Sequence, residues 1–329
     1  MDRLRVAIRV PVGRPLPDLA AFIARCEDAG FDGVGIHDHP SSGRDAYLAL
    51  ALAAQATRRL RLFPATSSPL VRHPLVLASL AHSLDEIAPA RTFLTIAPGF
   101  ISTRSIGQPR AGVAFMRDAI RDLRRLLAGE EVTFGATSTR LRNRSVKPTP
   151  VHLLAAGPRM IELAGEVADG ALLFVGLHPA SIRAALGHLE AGAKRVGRSL
   201  ADFPVTFVVT LGLGAADVGA RWIRSWFAPG QPFLAYPSAA NLHWLNIAGF
   251  DIDKAHDPAT ISEDRARLIA DAFGLFGPPE YCAERLERAR EAGVASVFLF
   301  PAHDLPGGYD MPESEVAVFE RIIRPRLEV

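Results

Sequence analysis

Residues 151–175 read VHLLAAGPRMIELAGEVADGALLFV and hold a complete strand–helix–strand unit. Val151–Ala155 is a continuous apolar run of strand length, without the polar alternation of a half-exposed strand. Gly157 and Pro158 end it. Proline suits the first position of a helix, where its missing N–H would have no partner anyway. The helix runs from Pro158 to Ala168, and after Gly170 a second apolar strand occupies Ala171–Val175. Two such strands joined by a helix are parallel and covered on both faces.

The same alternation continues in both directions. Upstream, strands are expected at Leu4–Val10, Gly33–Ile36, Leu60–Pro64 and Thr92–Ile96, and helices at Pro17–Ala29, Asp45–Ala56, Pro74–Ile87 and Val113–Leu127. Downstream, a helix over Pro179–Val196 leads to a strand at Val205–Leu211 and a helix at Ala216–Phe227; a helix at Glu280–Ala292 feeds a strand at Ser296–Phe300, and Glu313–Ile323 closes the chain. Eight strands alternating with helices predict an α/β fold, a closed (β/α)8 TIM barrel in one domain spanning residues 1–329. An open doubly wound sheet is the structural rival, and the absence of G-x-G-x-x-G after the first strand weighs against a dinucleotide-binding sheet. Two stretches break the rhythm. Glu130–Lys147 is polar, whereas Pro229–Ile261, near the C-terminal third, carries Phe233, Tyr236, Trp244 and Phe250, which call for burial. The second is expected to be an insertion over the barrel mouth.

Composition narrows the function classes. Of 329 residues, 37 are basic and 35 acidic, a net charge of +2 without long runs of one sign, so neither nucleic acid nor a membrane surface is an expected partner. Cys26 and Cys282 match no metal or redox spacing and fit a reducing cytosol. The N-terminus lacks the apolar core of a signal peptide, and Tyr47–Thr57 is too short to span a bilayer, so a cytoplasmic protein is expected.

Barrel active sites form at the C-terminal ends of the strands. Those ends carry Arg9, then His37-Asp38-His39, Ala65-Thr66-Ser67, Ala97-Pro98-Gly99-Phe100, Ala156-Gly157-Pro158-Arg159 and Gly176-Leu177-His178. Asp38 and His39 are the candidate catalytic pair, with His39 as proton donor or acceptor because an unperturbed histidine titrates near neutrality. The alternative is an Asp38 that merely caps the following loop. Adjacent residues at a strand end point in different directions, so no metal site is expected. Gly157-Pro158 opens a helix whose free amides, with Arg159, suit an anion.

Longer stretches carry a family resemblance. Glu27-Asp28-Ala29-Gly30-Phe31-Asp32-Gly33 leads to Asp38-His39; Thr66-Ser67-Ser68-Pro69 precedes Arg72-His73-Pro74; and Ala156-Gly157-Pro158-Arg159-Met160 leads to Ala168-Asp169-Gly170. Near the end, Phe276-Gly277-Pro278-Pro279-Glu280 leads to Glu291-Ala292-Gly293-Val294. In this order the chain resembles the luciferase-like monooxygenase superfamily, and within it the branch of coenzyme F420-dependent, methylene-tetrahydromethanopterin reductase-like enzymes. The resemblance implies that Asp38 and His39 lie beside the ring of the coenzyme. It implies a non-proline cis peptide at Ala65–Thr66 that, with Ser67, backs the ring; a tail along Ala97, Pro98 and Gly99; and a phosphate on Ala156–Arg159. The cofactor it implies is F420, with FMN as the alternative, acting on a small-molecule substrate in a homodimer.

The chain departs from the family pattern twice. Arg9 and Phe100 stand where carboxylates are usual. These residues are candidate substrate contacts and suggest an anionic or aromatic substrate, although Arg9 could instead pair with Asp38. The leading expectation is hydride transfer between reduced F420 and a small organic substrate. The alternatives are an FMN-dependent monooxygenase served by a separate reductase and a non-catalytic flavin-binding barrel.

Overall fold

The computed structural model describes residues 3–225, 238–252, 261–302 and 309–328. Its sheet is built from β1 (Arg5–Val10), β2 (Gly33–Ile36), β3 (Arg61–Pro64), β4 (Leu94–Ile96), β7 (Val151–Ala155), β8 (Gly170–Leu173), β9 (Val205–Leu213) and β11 (Ser296–Pro301), with a hairpin of β5 (Val132–Phe134) and β6 (Thr137–Thr139) standing apart. Parallel pairing runs in the order β3-β2-β1-β11-β9-β8-β7-β4. Parallel bridges Leu62–Thr92 and Ser67–Ile96 join the two ends, so the eight strands close into a barrel. The helices α1 (Leu16–Asp28), α2 (Ala46–Ala56), α3 (Pro74–Ile87), α5 (Val113–Leu127), α6 (Pro158–Val167) and α7 (Pro179–Arg195) connect the strands, and a short α4 (Ile101–Arg104) precedes α5.

Alternation along the strands divides the apolar residues between two cores. Outward-facing positions pack under the helices, and inward-facing Phe63, Phe93, Leu172, Val208 and Phe298 plug the lumen. The Phe63 ring stacks on Phe93 at 4.5 Å and meets Phe298 edge-on at 5.1 Å. Gly35 makes room for them: a Cβ there would lie 2.7 Å from both the Phe298 and Phe63 rings. The barrel centre is therefore solid, and a ligand can reach only its rims.

Three elements were not legible in the sequence. The hairpin β5–β6 lies within the stretch read as irregular. A helix α10 (Glu263–Phe273) runs directly into β10 (Gly274–Gly277), which pairs in parallel with Thr210–Leu213 of β9, on the edge that β8 occupies further back. The insertion Pro229–Ile261 falls partly outside the described residues, at 229–237 and 253–260. Its described part carries α9 (Ala239–Ile247), which packs on α7. The remaining helices are α8 (Val218–Ser225), α11 (Pro279–Glu291), α12 (Glu313–Val318) and α13 (Arg324–Leu327), the last two joined through a π-helical turn at Phe319–Ile323. Phe319 stacks on Phe31, and Glu313 pairs with Arg14 and Arg25, which ties the end of the chain to its beginning. Among the described residues no helix is long and apolar enough to cross a membrane.

The α6–α7 crossing depends on two glycines. A Cβ on Gly165 would lie 2.0 Å from the Leu189 carbonyl oxygen, and one on Gly192 would lie 1.8 Å from that of Glu162. Alanine is the better helix former by about 1 kcal/mol, but a backbone collision cannot relax as a side chain does. Gly192→Ala is expected to destabilise the protein by about 1–3 kcal/mol. Urea denaturation checks this, and an unchanged or raised midpoint would show that the helices can separate at no cost.

Candidate active site

The loop after β2 begins where its apolar run ends. Asp38 is buried there, 3% exposed, and its carboxylate is held from two sides. Arg72 Nε donates to Oδ2 at 2.9 Å and Arg72 Nη2 to Oδ1 at 2.8 Å, the fork geometry of a bidentate pair. Ser67 Oγ donates to Oδ2 at 2.6 Å and also lies 2.8 Å from the Tyr47 hydroxyl. Arg72 reaches Asp45 as well, at 2.8 Å, and Asp45 caps α2 through the amides of Tyr47 and Leu48. Burial, then the nearby Asp38 carboxylate, pushes the Tyr47 phenol up, so it stays protonated. Asp38 thus ties the second strand end to the third, and it pairs with Arg72 rather than Arg9.

His37 and His39 flank this fixed point, their rings 3.6 Å apart, and His39 Nδ1 makes a long contact of 3.4 Å with the Tyr309 hydroxyl. Burial, then the Arg9 charge, lowers the His39 pKa to about 4, against the pull of Asp38. The same two causes, with His39 third, hold His37 well below the ordinary histidine value. His39 therefore does not titrate near neutrality. It is neutral there, so it carries no proton to give as an acid, and the same lowering makes it a weak base. His152, inside the barrel against Phe93, is lowered to about 3, by burial first and Arg61 second.

These depressions have a consequence for stability. Each of the three histidines is neutral when folded and takes up a proton on unfolding below pH ~6.5, so its contribution is whole above that pH and is lost as pH falls toward the folded value. Between pH 6 and 5, above the carboxylate range, the slope approaches about 1.4 kcal/mol per pH unit for each histidine as the unfolded-state proton uptake nears completion. Chemical denaturation across this window checks it, and a flat profile would mean that these rings are hydrated in the folded protein.

The third and fourth strand ends lie side by side. The Ala65–Thr66 peptide bond is cis, as the resemblance implies. Ser67 N donates to the Thr95 carbonyl at 3.1 Å, and Ala97 N to that of Ser67 at 2.9 Å. Gly99 turns with φ +84°, and a Cβ there would sit 2.2 Å from the Thr103 side chain. The Arg110 guanidinium covers the Phe100 ring at 4.1 Å. Since β4 pairs with β7, the next end is Ala156-Gly157-Pro158-Arg159. No side chain caps the amides of α6, and a Cβ on Gly157 would meet nothing within 4 Å, so the helix start is open. From the insertion, Trp244 Nε1 donates to the Ala156 carbonyl at 2.6 Å. The candidate residues therefore occupy five successive strand ends, those of β1, β2, β3, β4 and β7.

At the first of these ends Arg9, 6% exposed, lies over the Phe300 ring at 4.1 Å. Burial lowers its pKa to about 10, with Tyr309 a smaller opposing influence. Arg9 Nε, His37 Nδ1 and Thr95 Oγ1 are buried without a hydrogen-bond partner among the described residues. Sequence reasoning missed Tyr47, Arg72, Thr95 and Tyr309. Arg72 stood in a quoted motif, but nothing in the spacing joined it to Asp38; Tyr309 is 270 positions from His39. Cys26 and Cys282 are buried free thiols pushed up to about 12 by burial, which makes them inert.

Comparison with known proteins places this rim in a family. The chain is 29% identical over 304 residues to a 5,10-methylenetetrahydromethanopterin reductase of Methanolobus tindarius, covering 86% of this chain and 90% of that one. Its fold is similar to that of a coenzyme F420-dependent tetrahydromethanopterin reductase from Methanopyrus kandleri, with a TM-score of 0.72 at 20% identity over 99% of this chain and 100% of the other. It is also similar in fold to the oxygenating constituent of 3,6-diketocamphane monooxygenase from Pseudomonas putida, solved with FMN, with a TM-score of 0.62 at 16% identity over 98% of each chain. The profile of the family described as luciferase-like monooxygenase matches residues 3–296, and with a match of that extent the chain belongs to the luciferase-like monooxygenase family.

Proposed function

We propose that this protein is an oxidoreductase that uses coenzyme F420 to transfer a hydride to or from a small organic substrate. The observation that carries this reading is the unbroken rim from β1 to β7, in which small residues leave backbone groups open to a ligand. The similarity to the Methanolobus reductase supports the choice of F420. In this reading Ala65, Thr66 and Ser67 back the ring, and Ala97, Pro98 and Gly99 border the tail. The open amides of α6, with Arg159, hold the phosphate, and Asp38 is the fixed point that sets His37 and His39 against the ring. The bound deazaflavin supplies the hydride chemistry. His39 handles the proton: with Nδ1–H turned toward Tyr309, Nε2 accepts the proton released when the substrate gives up a hydride, and the protonated ring returns it when the substrate receives one. A homodimer is part of the proposal, and sedimentation velocity that gives a monomer would remove it.

Titration of the purified protein with F420 and with FMN, followed by absorbance and fluorescence, tests the choice of coenzyme. Micromolar binding of F420 and much weaker binding of FMN are expected. The likeness to the FMN-bound camphane monooxygenase motivates the second reading, in which FMN binds and turnover consumes oxygen. Binding without turnover of any substrate would leave only a flavin-binding barrel. Arg159 is exposed and makes no ion pair with a described residue, so Arg159→Ala is expected to weaken coenzyme binding about 3- to 10-fold at low salt and less at high salt. Unaltered affinity at low salt would put the phosphate elsewhere.

A further inference from the structure

Arg9 is a buried cation with no counter-ion among the described residues. On β1 it pairs in register with Gly35 of β2, and with the lumen-facing Ala7 two residues earlier it points toward the inside of the barrel. Among the described residues no carboxylate forms an ion pair with it, and its Nε has no partner. Asp38, the partner that the sequence left open for it, is consumed by Arg72. The described groups around Arg9 include two neutral imidazoles, the Tyr309 phenol and the face of Phe300. An aromatic face offsets only part of the cost of desolvating a guanidinium. His37 Nδ1 beside it is also buried and unpartnered. Two polar groups left unsatisfied at one strand-end cluster, where structural residues are normally paired, mark a ligand position.

We propose that Arg9 is the anion anchor of the substrate site, where it takes an oxyanion of the substrate, a carboxylate or a phosphate, with His37 as a second donor. Phe300 covers one face of the guanidinium and leaves its N–H edge for the anion. The substrate class is thereby a small organic anion whose reacting carbon lies near His39. This rests on the oxidoreductase reading for the word substrate, but the anion site is measurable without it.

The test titrates the protein, both free and with F420 bound, with sodium acetate and with sodium phosphate against sodium chloride at equal ionic strength. The readouts are the imidazole resonances of His37 and His39 and the melting temperature. Saturable shifts at millimolar acetate or phosphate are expected, and the anion with the lower dissociation constant identifies the oxyanion. Arg9→Met, with Arg9→Gln as a second neutral variant should the first not fold, is expected to weaken this binding at least 10-fold. It is also expected to raise the melting temperature without anion, because an unpaired buried charge is gone. Arg9→Lys should retain part of the affinity. No saturable shift with either anion, or equal affinity in the neutral variants, overturns the proposal. Loss of F420 binding in the neutral variants also overturns it, since Arg9 would then serve the coenzyme. If the wild-type protein fails to bind F420, the coenzyme reading falls, while the titration of the free protein still decides the anion site.

Discussion

Arg72→Met is expected to destabilise the protein by about 3–5 kcal/mol, the usual cost of removing one partner from a buried ion pair. The pair is desolvated on both sides, with side-chain exposures of 16% for Arg72 and 3% for Asp38. Methionine fills the stem of the arginine but leaves the Asp38 carboxylate with the Ser67 hydroxyl as its remaining donor. The second pair of Arg72, with Asp45, contributes little to the loss because Asp45 is 37% exposed. Most of the cost is the stranded charge, so the double variant Arg72→Met with Asp38→Asn should recover a large part of it. Arg72→Lys should fall between, since an ammonium cannot fork onto both carboxylate oxygens. Urea midpoints and slopes for the four proteins measure all of this. A loss below about 1 kcal/mol in the single variant would mean that water reaches Asp38 and that the pair is not a structural anchor.

His39→Ala is expected to lower turnover of the substrate by about 100- to 10,000-fold, the usual weight of a general acid–base residue. The geometry favours His39 over its neighbour: Asp38 already accepts three hydrogen bonds, whereas among the described residues His39 has only the long contact to Tyr309, and its ring is held neutral at physiological pH. Because the folded protein keeps that ring uncharged, the variant should drop one of the three histidine contributions to acid sensitivity and lose stability less steeply below pH ~6 than the wild type, while His37 and His152 keep the rest. F420 affinity should change by less than the rate. Turnover within threefold of wild type, with the coenzyme still bound, would leave His39 a packing residue and pass the proton to solvent.

The barrel was legible in the sequence because its signal is local. A strand covered on both faces reads as a short apolar run, as in Val151–Ala155 or Gly33–Ile36, and a helix that starts at a proline announces its first turn, as at Pro74, Pro158 and Pro179. The order of such units determined that the sheet is parallel, and where its C-terminal ends lie, hence which residues share the rim. The cis bond at Ala65–Thr66 was legible only through the family resemblance; local sequence favours a trans bond. Strand β10 was not legible, since α10 runs into it at Phe273 with no turn residues between them to mark a boundary; it is a strand because β9 offers it an edge, and Trp222 lies tilted against Phe276 at 4.6 Å. Charge pairing was not legible either. Arg9 was the partner that the sequence suggested for Asp38, and only the fold, by bringing α3's approach beside the β2 end, gave it Arg72 and left Arg9 without an ion pair among the described residues. The protonation state of His39 was decided the same way. Residue type sets a pKa in water, whereas burial and the charges that tertiary structure gathers around a ring set it in the protein.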